Sequence, residues 1–421
     1  MHWSKAGKTR EARKAGRARQ ACVALAAAGM LAVPASAGSA YADPTPAPSV
    51  SASSPRSSDF AELTPAVAAR LDTAIRQVMR EASVPGVIVG LWAPGKGSYV
   101  RAFGVADKAT GAPMRSDLNV RIGSQTKTFT VTALLELVDR GKVKLDDPIA
   151  KYISGVPNGN RITLRDLADM RSGLFSYTMD AGFFKALTSA PERPFTPKEL
   201  LGYSFKHPVQ FQPGAKFDYC NTNLILLGLV VEKAGGLPLG EFIRRNVLDP
   251  AGLSHTVFPT GAEFPSPHPQ GYTDQTASGK VENSTGWNPS WGWAAGAMIS
   301  DLHDLRIWSR VLATGTLLSP ETQAQRLKTL PTAIPGSGYG LGIFNVQGWI
   351  GHNGSLPGYE SLTVYLPEAR ATLVVLLNTD ITLKGYEPST LFGQAITRVV
   401  TPSHIFNLPE PADRATPSPS H

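Results

Sequence analysis

Residues 123–127 read Gly-Ser-Gln-Thr-Lys, and they lead directly into apolar residues at helical spacing. Ser124 is the only serine in the chain with a lysine three residues after it. Positions three apart share one face of a helix, so we expect the Lys127 amine to lie over the Ser124 hydroxyl. The positive end of the helix dipole favours negative charge there. The segment predicts an activated serine nucleophile, although this spacing also arises by chance around a solvated lysine.

Helices and strands are predicted on both sides of this segment. A threonine–proline pair at 64–65 indicates a helix start, and Gly141 ends the helix that contains Lys127. The other predicted elements are strands at 86–93, 98–106, 362–366 and 372–377, a buried helical stretch at 224–231, and a last helix at about 389–400. Strands near both ends with helices between them predict the α/β class (α+β type), with one antiparallel sheet flanked by N- and C-terminal helices and a mostly helical insertion.

The positive charge of the chain is concentrated in its first 42 residues. They carry seven basic residues and one acid, which is most of the formal net charge of +8. An apolar run at 21–33 follows, and Ala-Tyr-Ala at 40–42 fits a signal-peptidase site. The run is shorter than the ~20 residues that span a bilayer, so we expect cleavage near Ala42, secretion and no stable membrane anchor. Nucleic-acid binding has only this leader's charge in its favour, and we do not expect it.

The predicted organisation has four parts. A signal peptide at 1–42 and a Pro- and Ser-rich linker at 43–59 precede one domain at 60–407, and a tail at 408–421 follows. Linker and tail are expected to be disordered. Within the domain, the sheet part is predicted at about 60–122 and 290–407 and the helical part at about 123–289. Cys220 is the only cysteine outside the leader, which excludes an internal disulfide in the exported protein.

Two further short motifs carry side chains suited to catalysis. Tyr219-Cys220-Asn221 precedes the predicted buried helix, and His352-Asn353-Gly354 opens a Gly-rich segment before the last hairpin. Taken alone, a tyrosine before a helix is more often a packing residue, and a lone histidine is more often structural. Ser-x-x-Lys, Tyr-x-Asn and His-x-Gly in this order resemble the serine hydrolases that recognise penicillin, among them class C β-lactamases and D-alanyl-D-alanine carboxypeptidases.

The resemblance covers the chain from about residue 62 to 402. Segments that are similar to the family lie at 121–127, 162–167, 171–174, 213–214, 295–300 and 338–342. It implies the β-lactamase/transpeptidase-like fold, with no cofactor and no metal. The sequence has no His-Glu-x-x-His motif, and its eight histidines are scattered along the chain.

The resemblance also implies roles for the motif residues. Ser124 would form an acyl-enzyme, and Lys127 and Tyr219 would share the handling of protons. Which of the two takes the serine proton stays open. Asn221 would contact the substrate amide and orient Lys127. The backbone N–H groups of Ser124 and Ser355 would form the oxyanion hole.

The third motif and one tryptophan are expected to line the substrate site. Gly354 would let the backbone approach the ligand closely. His352 would hydrogen-bond towards Tyr219 and add positive potential, whereas Asn353 and Ser355 would contact the carboxylate end of the substrate. Trp291 stands where the carboxypeptidases have an aromatic lid. Trp287 and Trp293 are interpreted as packing residues, and Cys220 as buried and inert.

One departure from the family bears on the substrate. Carboxypeptidases of this family have an arginine just before the histidine motif that helps to hold the terminal carboxylate, yet no Lys or Arg occurs between Lys328 and Arg370. Phe344, Asn345 and Val346 occupy that region. Charge-assisted hydrogen bonds are about twice as strong as neutral ones, so this gap favours an esterase or amidase over a peptidase.

The leading hypothesis from sequence is a secreted serine D-alanyl-D-alanine carboxypeptidase that acts on peptidoglycan stem peptides. β-Lactams would then be covalent inhibitors, and the protein would be a monomer. The alternative is an esterase or a class C-like β-lactamase on the same fold, acting on another small acyl substrate. A binding protein that has lost catalysis is the non-enzyme alternative, which the three intact motifs disfavour.

Overall fold

The computed structural model of the protein describes residues 59–407. The predicted signal peptide, the tail, and the linker apart from Asp59 lie outside the described residues. Asp59 accepts hydrogen bonds from the Thr401 hydroxyl and the Ser403 backbone N–H, both at 2.8 Å. The start of the described chain is therefore held against its end.

Groups of helices and groups of strands alternate along the described residues, which begin and end with a long helix. The α-helices are α1 Pro65–Glu81, α2 Thr126–Asp139, α3 Leu164–Ala168, α4 Ala181–Ser189, α5 Pro197–Phe205, α6 Asn221–Gly235, α7 Leu239–Ile243, α8 Asp249–Ala251, α9 Trp293–Gly296, α10 Leu302–Thr314, α11 Pro320–Leu327 and α12 Pro388–Val400. The strands are β1 Gly86–Ala93, β2 Gly97–Gly104, β3 Val120–Arg121, β4 Tyr272–Thr273, β5 Glu282–Asn283, β6 Ile299–Ser300, β7 Leu330–Pro331, β8 Ser337–Tyr339, β9 Phe344–Val346, β10 Trp349–Leu356, β11 Tyr359–Leu366 and β12 Ala371–Leu377.

The main sheet has eight antiparallel strands in the order β2-β1-β12-β11-β10-β9-β8-β7. Its centre joins the two ends of the chain, because β1 pairs with β12 and Val89 lies opposite Val375. Strands β3 and β6 form a separate short pair, with Val120 opposite Ser300. The predicted fold class is thus confirmed.

Alternating side chains of the sheet build two cores on its opposite faces. Val87 and Val375 pack under α1 and α12, which cover one face. Ile88 and Val374 point to the other face, where α10 and the helical part of the protein pack. This period-2 alternation is the expected consequence of extended backbone between two apolar layers.

Helix signals in the sequence correspond to real helix ends. Thr64 caps α1 by accepting from the backbone N–H of Val67, and Pro65 is the first helical residue. Helix α2 ends at Asp139, and Gly141 beyond it has a φ of +66°. Most of α6 is buried as predicted, with Leu229 partly exposed. This burial explains why α6 lacks a polar face.

One strand boundary differs from the sequence prediction. The second strand of the first hairpin is Gly97–Gly104, because Gly104 has a φ of +75° and ends the pairing there. The Gly-rich segment around His352 forms strand β10. Within residues 59–407 no single helix is long and apolar enough to cross a bilayer; the pair α6 and Leu239–Ala251 reaches that length only with a bend of 73°.

Candidate active site

The predicted nucleophile lies in a tight turn that is fixed on both sides. Residues Gly123–Gln125 form one turn of 3₁₀ helix directly before α2, and the Ser124 side chain is partly exposed. The backbone N–H of Ile122 donates to Met298 O at 3.0 Å, and the Ser361 hydroxyl donates to Ile122 O at 2.8 Å. The turn is therefore wedged between β11 and the segment after α9, which fixes the position of the Ser124 hydroxyl.

Lys127 lies over Ser124, as the three-residue spacing predicts. Its Nζ is 2.9 Å from Ser124 Oγ and 2.8 Å from the backbone oxygen of Ala295, and the residue is fully buried. Burial holds the pKa of the Lys127 amine well below its usual value, because a charged ammonium loses its hydration there. A neutral amine donates to Ala295 and accepts from the Ser124 hydroxyl, which is the geometry of a general base.

The Tyr219 ring also lies close to the Lys127 amine. Lys127 Nζ is 4.9 Å from the centroid of the Tyr219 ring. Burial raises the pKa of the Tyr219 phenol, the nearby Ser124 hydroxyl offsets part of this shift, and the Glu387 carboxylate adds to it. The phenol is therefore a proton donor near neutral pH. These opposite shifts favour Lys127 over Tyr219 as the base.

His352 contacts Tyr339 instead of the predicted partner Tyr219. Its Nε2 is 3.2 Å from the Tyr339 hydroxyl, whereas the ring centroids of His352 and Tyr219 are 6.1 Å apart. Burial, together with the positive charge of Lys127, lowers the pKa of His352 to about 3. The expectation that His352 adds positive potential is thus wrong, because the buried imidazole is neutral near neutral pH.

Asn221 is the first residue of α6 and not part of a loop. Its Nδ2 donates to the Thr178 hydroxyl at 3.1 Å, and its backbone N–H donates to the Ser176 hydroxyl at 3.1 Å. The hydrogen bonds of Lys127 run to Ser124 and Ala295, so the expectation that Asn221 orients Lys127 is wrong. Its predicted contact with the substrate amide stays a prediction.

Two further predicted site residues are Asn353, which lies on β10, and Trp291, which ends the 3₁₀ turn Pro289–Trp291. Asn353 donates through Nδ2 to the Glu387 carboxylate at the start of α12. Trp291 packs against Phe183 with ring centroids 6.0 Å apart. It also lines a small cavity together with Leu356, the residue that follows Ser355 on β10. Trp291 is therefore adjacent to the end of the predicted substrate-binding strand.

Gly123 and Gly354 bring two backbone segments into direct contact. A Cβ on Gly354 would lie 2.0 Å from Ile122 O and 2.8 Å from Ser124 N. A Cβ on Gly123 would lie 2.7 Å from Ser355 N, and the φ of Gly123 is +54°. Only glycines allow this approach. It brings the backbone amides of Ser124 and Ser355, the predicted oxyanion hole, to one place beside the Ser124 hydroxyl.

The titratable groups around the nucleophile have shifted pKa values. Lys127 and His352 both have lowered pKa values. Burial raises the pKa of Glu360 and of Glu387, and the charge of Glu387 raises that of Glu360 further. The ring of Phe344, on strand β9, lies 4.9 Å from the His352 ring.

Two contributors to the site are absent from the sequence-based predictions. Tyr339 belongs to the segment 338–342, which had been noted as family-like, but its role as the partner of His352 had no signal in the sequence. Ala295 acts through its backbone oxygen on Lys127. A backbone acceptor leaves no trace in residue type, so only the fold reveals it.

Comparison with known proteins shows the family of the chain. The beta-lactamase family profile matches residues 71–390. A putative penicillin-binding protein of Bacillus subtilis is 26% identical over 66% of this chain and 66% of its own. The D-aminopeptidase of Brucella anthropi is 28% identical over 74% of this chain and 59% of its own. Esterase EstB of Burkholderia gladioli is 32% identical over 44% of this chain and 50% of its own. The alignments thus span one half to two thirds of these relatives.

Solved structures with the same fold are covered more completely. A D-stereospecific amidohydrolase from Streptomyces is 32% identical with a TM-score of 0.67, over 73% of this chain and 94% of that structure. A D-amino acid amidase from Ochrobactrum anthropi, complexed with L-phenylalanine amide, is 28% identical with a TM-score of 0.68, over 78% and 99%. The family match covers well over half of the chain, and the chain therefore belongs to the beta-lactamase family of serine hydrolases.

Proposed function

We propose that this protein is a secreted serine amidohydrolase that cleaves amide bonds on the carbonyl side of a D-amino acid. The observation that carries the proposal is the buried Lys127 amine, 2.9 Å from the Ser124 hydroxyl. Secretion rests on the leader of the sequence. The preference for a D-configured acyl group rests on similarity to a D-stereospecific amidohydrolase, a D-amino acid amidase and a D-aminopeptidase.

The reaction follows the positions of four groups. Ser124 Oγ attacks the carbonyl carbon while its proton passes to Lys127 Nζ. The tetrahedral oxyanion is stabilised by the N–H groups of Ser124 and Ser355. A proton from Tyr219 or Lys127 then reaches the leaving amine, and the acyl-enzyme forms. Water attacks the acyl carbon in a second step with the same base, which regenerates Ser124.

The charge of the site favours leaving groups that carry no carboxylate. His352 is neutral, Lys127 has a strongly lowered pKa, and Phe344 stands where the related carboxypeptidases have arginine. Asn353 is engaged by the Glu387 carboxylate. Because Lys127 and His352 both have lowered pKa values, neither supplies a firm positive charge for a free C-terminal carboxylate, and amides, anilides and esters fit this part of the site better.

A D-alanyl-D-alanine carboxypeptidase that acts on peptidoglycan stem peptides is the second candidate. Its support is the order of the three motifs and the similarity to a putative penicillin-binding protein. It predicts that penicillin acylates Ser124 and persists there. The esterase and class C-like β-lactamase alternatives share this nucleophile and differ in the deacylation rate.

The substrate class is tested with four compounds on the purified protein. They are the D- and L-alanine p-nitroanilides, a diacylated Lys-D-Ala-D-Ala peptide and a chromogenic cephalosporin. We expect kcat/KM for the D-anilide to exceed that of the L-anilide and of the peptide by at least about ten-fold. Equal rates for the two enantiomers contradict D-specificity, and faster release of D-alanine from the peptide favours the carboxypeptidase. Ser124→Ala must abolish each activity, whereas Cys220→Ser, which changes a buried neighbour, must not.

A further inference from the structure

Two histidines that are far apart in the sequence meet two aspartates at the start of α10. His255, Asp301, His303 and Asp304 each offer one ligand atom, and the four atoms lie within 4.8 Å of one another. The side chains of His255 and His303 are 55% and 66% exposed, whereas those of Asp301 and Asp304 are 10% and 0% exposed. Two exposed imidazoles thus contact two carboxylates that are almost fully buried.

The two oxygens of the Asp301 carboxylate have different partners. Asp301 Oδ1 accepts from the backbone N–H of Asp304 at 2.8 Å, which caps α10. Asp301 Oδ2 lies 2.7 Å from Nδ1 of His255. The capping bond fixes the plane of the carboxylate, and Oδ2 remains available to a group at the position of the imidazole.

The second carboxylate repeats this arrangement. Asp304 Oδ2 accepts from the backbone N–H of His255 and from the Thr256 hydroxyl, both at 2.8 Å. Asp304 Oδ1 lies 3.2 Å from Nδ1 of His303. In each aspartate, one carboxylate oxygen therefore accepts hydrogen bonds from backbone or hydroxyl donors, and the other oxygen faces a histidine nitrogen. Metal-binding carboxylates are oriented by outer-shell hydrogen bonds of this kind.

In the part of the chain that the structure describes, the only ion-pair partners of Asp301 and Asp304 are His255 and His303. The Asp304 side chain is fully buried and that of Asp301 is 10% exposed, so both carboxylates lie largely out of contact with water. Buried carboxylates are stable when they are paired or coordinate a metal, and one divalent cation would neutralise both.

We propose that His255, Asp301, His303 and Asp304 bind one divalent cation of the zinc class. Imidazole nitrogens and carboxylate oxygens are zinc ligands at about 2.0–2.2 Å, which places neighbouring ligand atoms about 3.4 Å apart in a tetrahedron. The four ligand atoms lie within 4.8 Å of one another, and the two imidazoles are exposed enough to turn towards a shared ion. The bound ion replaces the hydrogen bonds between the histidines and the carboxylates.

The site would act on the stability of the fold. The strand pair β3–β6 joins this region to the nucleophile turn, because β6 ends directly before Asp301 and β3 ends two residues before Gly123. The Thr256 hydroxyl also contacts the Ser300 hydroxyl at 2.8 Å. A cation here fastens the segment around residue 255 to the start of α10. It supplies no group to acyl transfer, so the site differs from the catalytic one in function.

The test uses the full protein, stripped with a chelator and exchanged into chelator-free buffer. ZnCl₂ is titrated by calorimetry, and the thermal midpoint of unfolding is measured with and without the metal. We expect one saturable site and a higher midpoint with zinc. His255→Ala and His303→Ala should each weaken binding at least ten-fold, and His404→Ala, which removes a distant histidine, should leave it unchanged.

Cobalt provides an independent readout of the ligand geometry. Co²⁺ added to the stripped protein should give the visible absorption of a tetrahedral nitrogen–oxygen site, and the spectrum should be lost in His303→Ala, whose exposed side chain can be removed without a change in folding. Absence of saturable zinc binding in the unaltered protein overturns the proposal. Equal zinc affinity in the protein with and without both histidines overturns it as well.

Discussion

The Nζ of Lys127 lies 2.9 Å from the Ser124 hydroxyl, and its second hydrogen bond runs to the backbone oxygen of Ala295. This second bond fixes the amine so that its lone pair faces Ser124. Burial lowers the pKa of Lys127 and raises that of Tyr219, so the two groups are prepared for opposite steps of proton transfer. We therefore expect Lys127 to act as the base and Tyr219 as the acid near neutral pH.

The first prediction concerns the pH dependence of activity. Only the neutral form of Lys127 accepts the Ser124 proton. As pH rises through the lowered pKa of Lys127, the amine loses its proton and kcat/KM should rise. Stopped-flow measurement of ester hydrolysis over a pH series records this rise in kcat/KM, which is the acid limb of the pH–rate profile. Lys127→Ala should lower the acylation rate by about 10³-fold or more and remove the limb.

A matched variant separates Lys127 from the nearby imidazole. His352 has a pKa of about 3 and is neutral over the whole working range. His352→Gln should therefore leave the midpoint of the acid limb unmoved, even if the rate falls because the contact with Tyr339 is altered. A limb that disappears in His352→Gln would identify the imidazole as the titrating group and contradict the assignment to Lys127.

The second prediction tests the backbone contact that builds the oxyanion hole. Gly354→Ala places a methyl group 2.0 Å from Ile122 O and 2.8 Å from Ser124 N, so the two segments must separate. Loss of one oxyanion donor costs about 10²–10³-fold in kcat in other enzymes, and we expect a fall of that size. Steady-state kinetics with a p-nitrophenyl ester measures it.

Gly202→Ala is the control for this substitution. Gly202 lies in α5, and an added Cβ meets no atom within 4 Å. It should keep full activity and gain a little stability, because alanine favours the helix by about 1 kcal/mol over glycine. Similar kinetics for Gly354→Ala and Gly202→Ala would show that the close approach has no role in catalysis.

The third prediction restores the cation that the site lacks. The Phe344 ring faces His352 and Tyr219, with ring centroids 4.9 Å and 6.4 Å away. Phe344→Arg should raise kcat/KM for a peptide with a free C-terminal carboxylate, relative to a D-amino acid anilide, by about ten-fold, which corresponds to about 1.4 kcal/mol. Asn345→Arg, on the opposite side of β9, should leave the ratio unchanged. An unchanged ratio in Phe344→Arg would refute the charge argument.

The fourth prediction concerns stability. Leu226 is fully buried in α6, whereas Leu229 on the same helix is partly exposed. Leu226→Ala should lower the free energy of unfolding by about 2–5 kcal/mol because it leaves a cavity. Leu229→Ala should cost less than half as much. Urea denaturation of both variants measures the difference, and equal losses would contradict the burial of α6.

Much of the fold and of the site could be predicted because the deciding signals are local. Thr64 with Pro65 marks a helix start, and the spacing of Ser124 and Lys127 corresponds to one helical turn. Strands near both ends of the chain predicted one antiparallel sheet built from both, and β1 does lie in the same sheet as β12. These features depend on propensity, capping and periodicity, which a single sequence contains.

What could not be predicted depends on long-range contacts. The partner of His352 is Tyr339 because β8, β9 and β10 are neighbours in the sheet, and this order is invisible in the residues themselves. Burial also reversed the expected charge of His352. The grouping of His255 with His303 arises from the contact between the segment around residue 255 and the start of α10, so histidines that appeared scattered are close in space.

The central claim is that Ser124 is the acylated nucleophile, and covalent mapping tests it most directly. The protein is incubated with a penicillin and, in parallel, with a fluorophosphonate that modifies activated serines, and the digested adduct is located by mass spectrometry. We predict one adduct on the peptide that contains Ser124, and none in Ser124→Ala or Lys127→Ala. An adduct on another residue, or amide hydrolysis that persists in Ser124→Ala, would contradict the account.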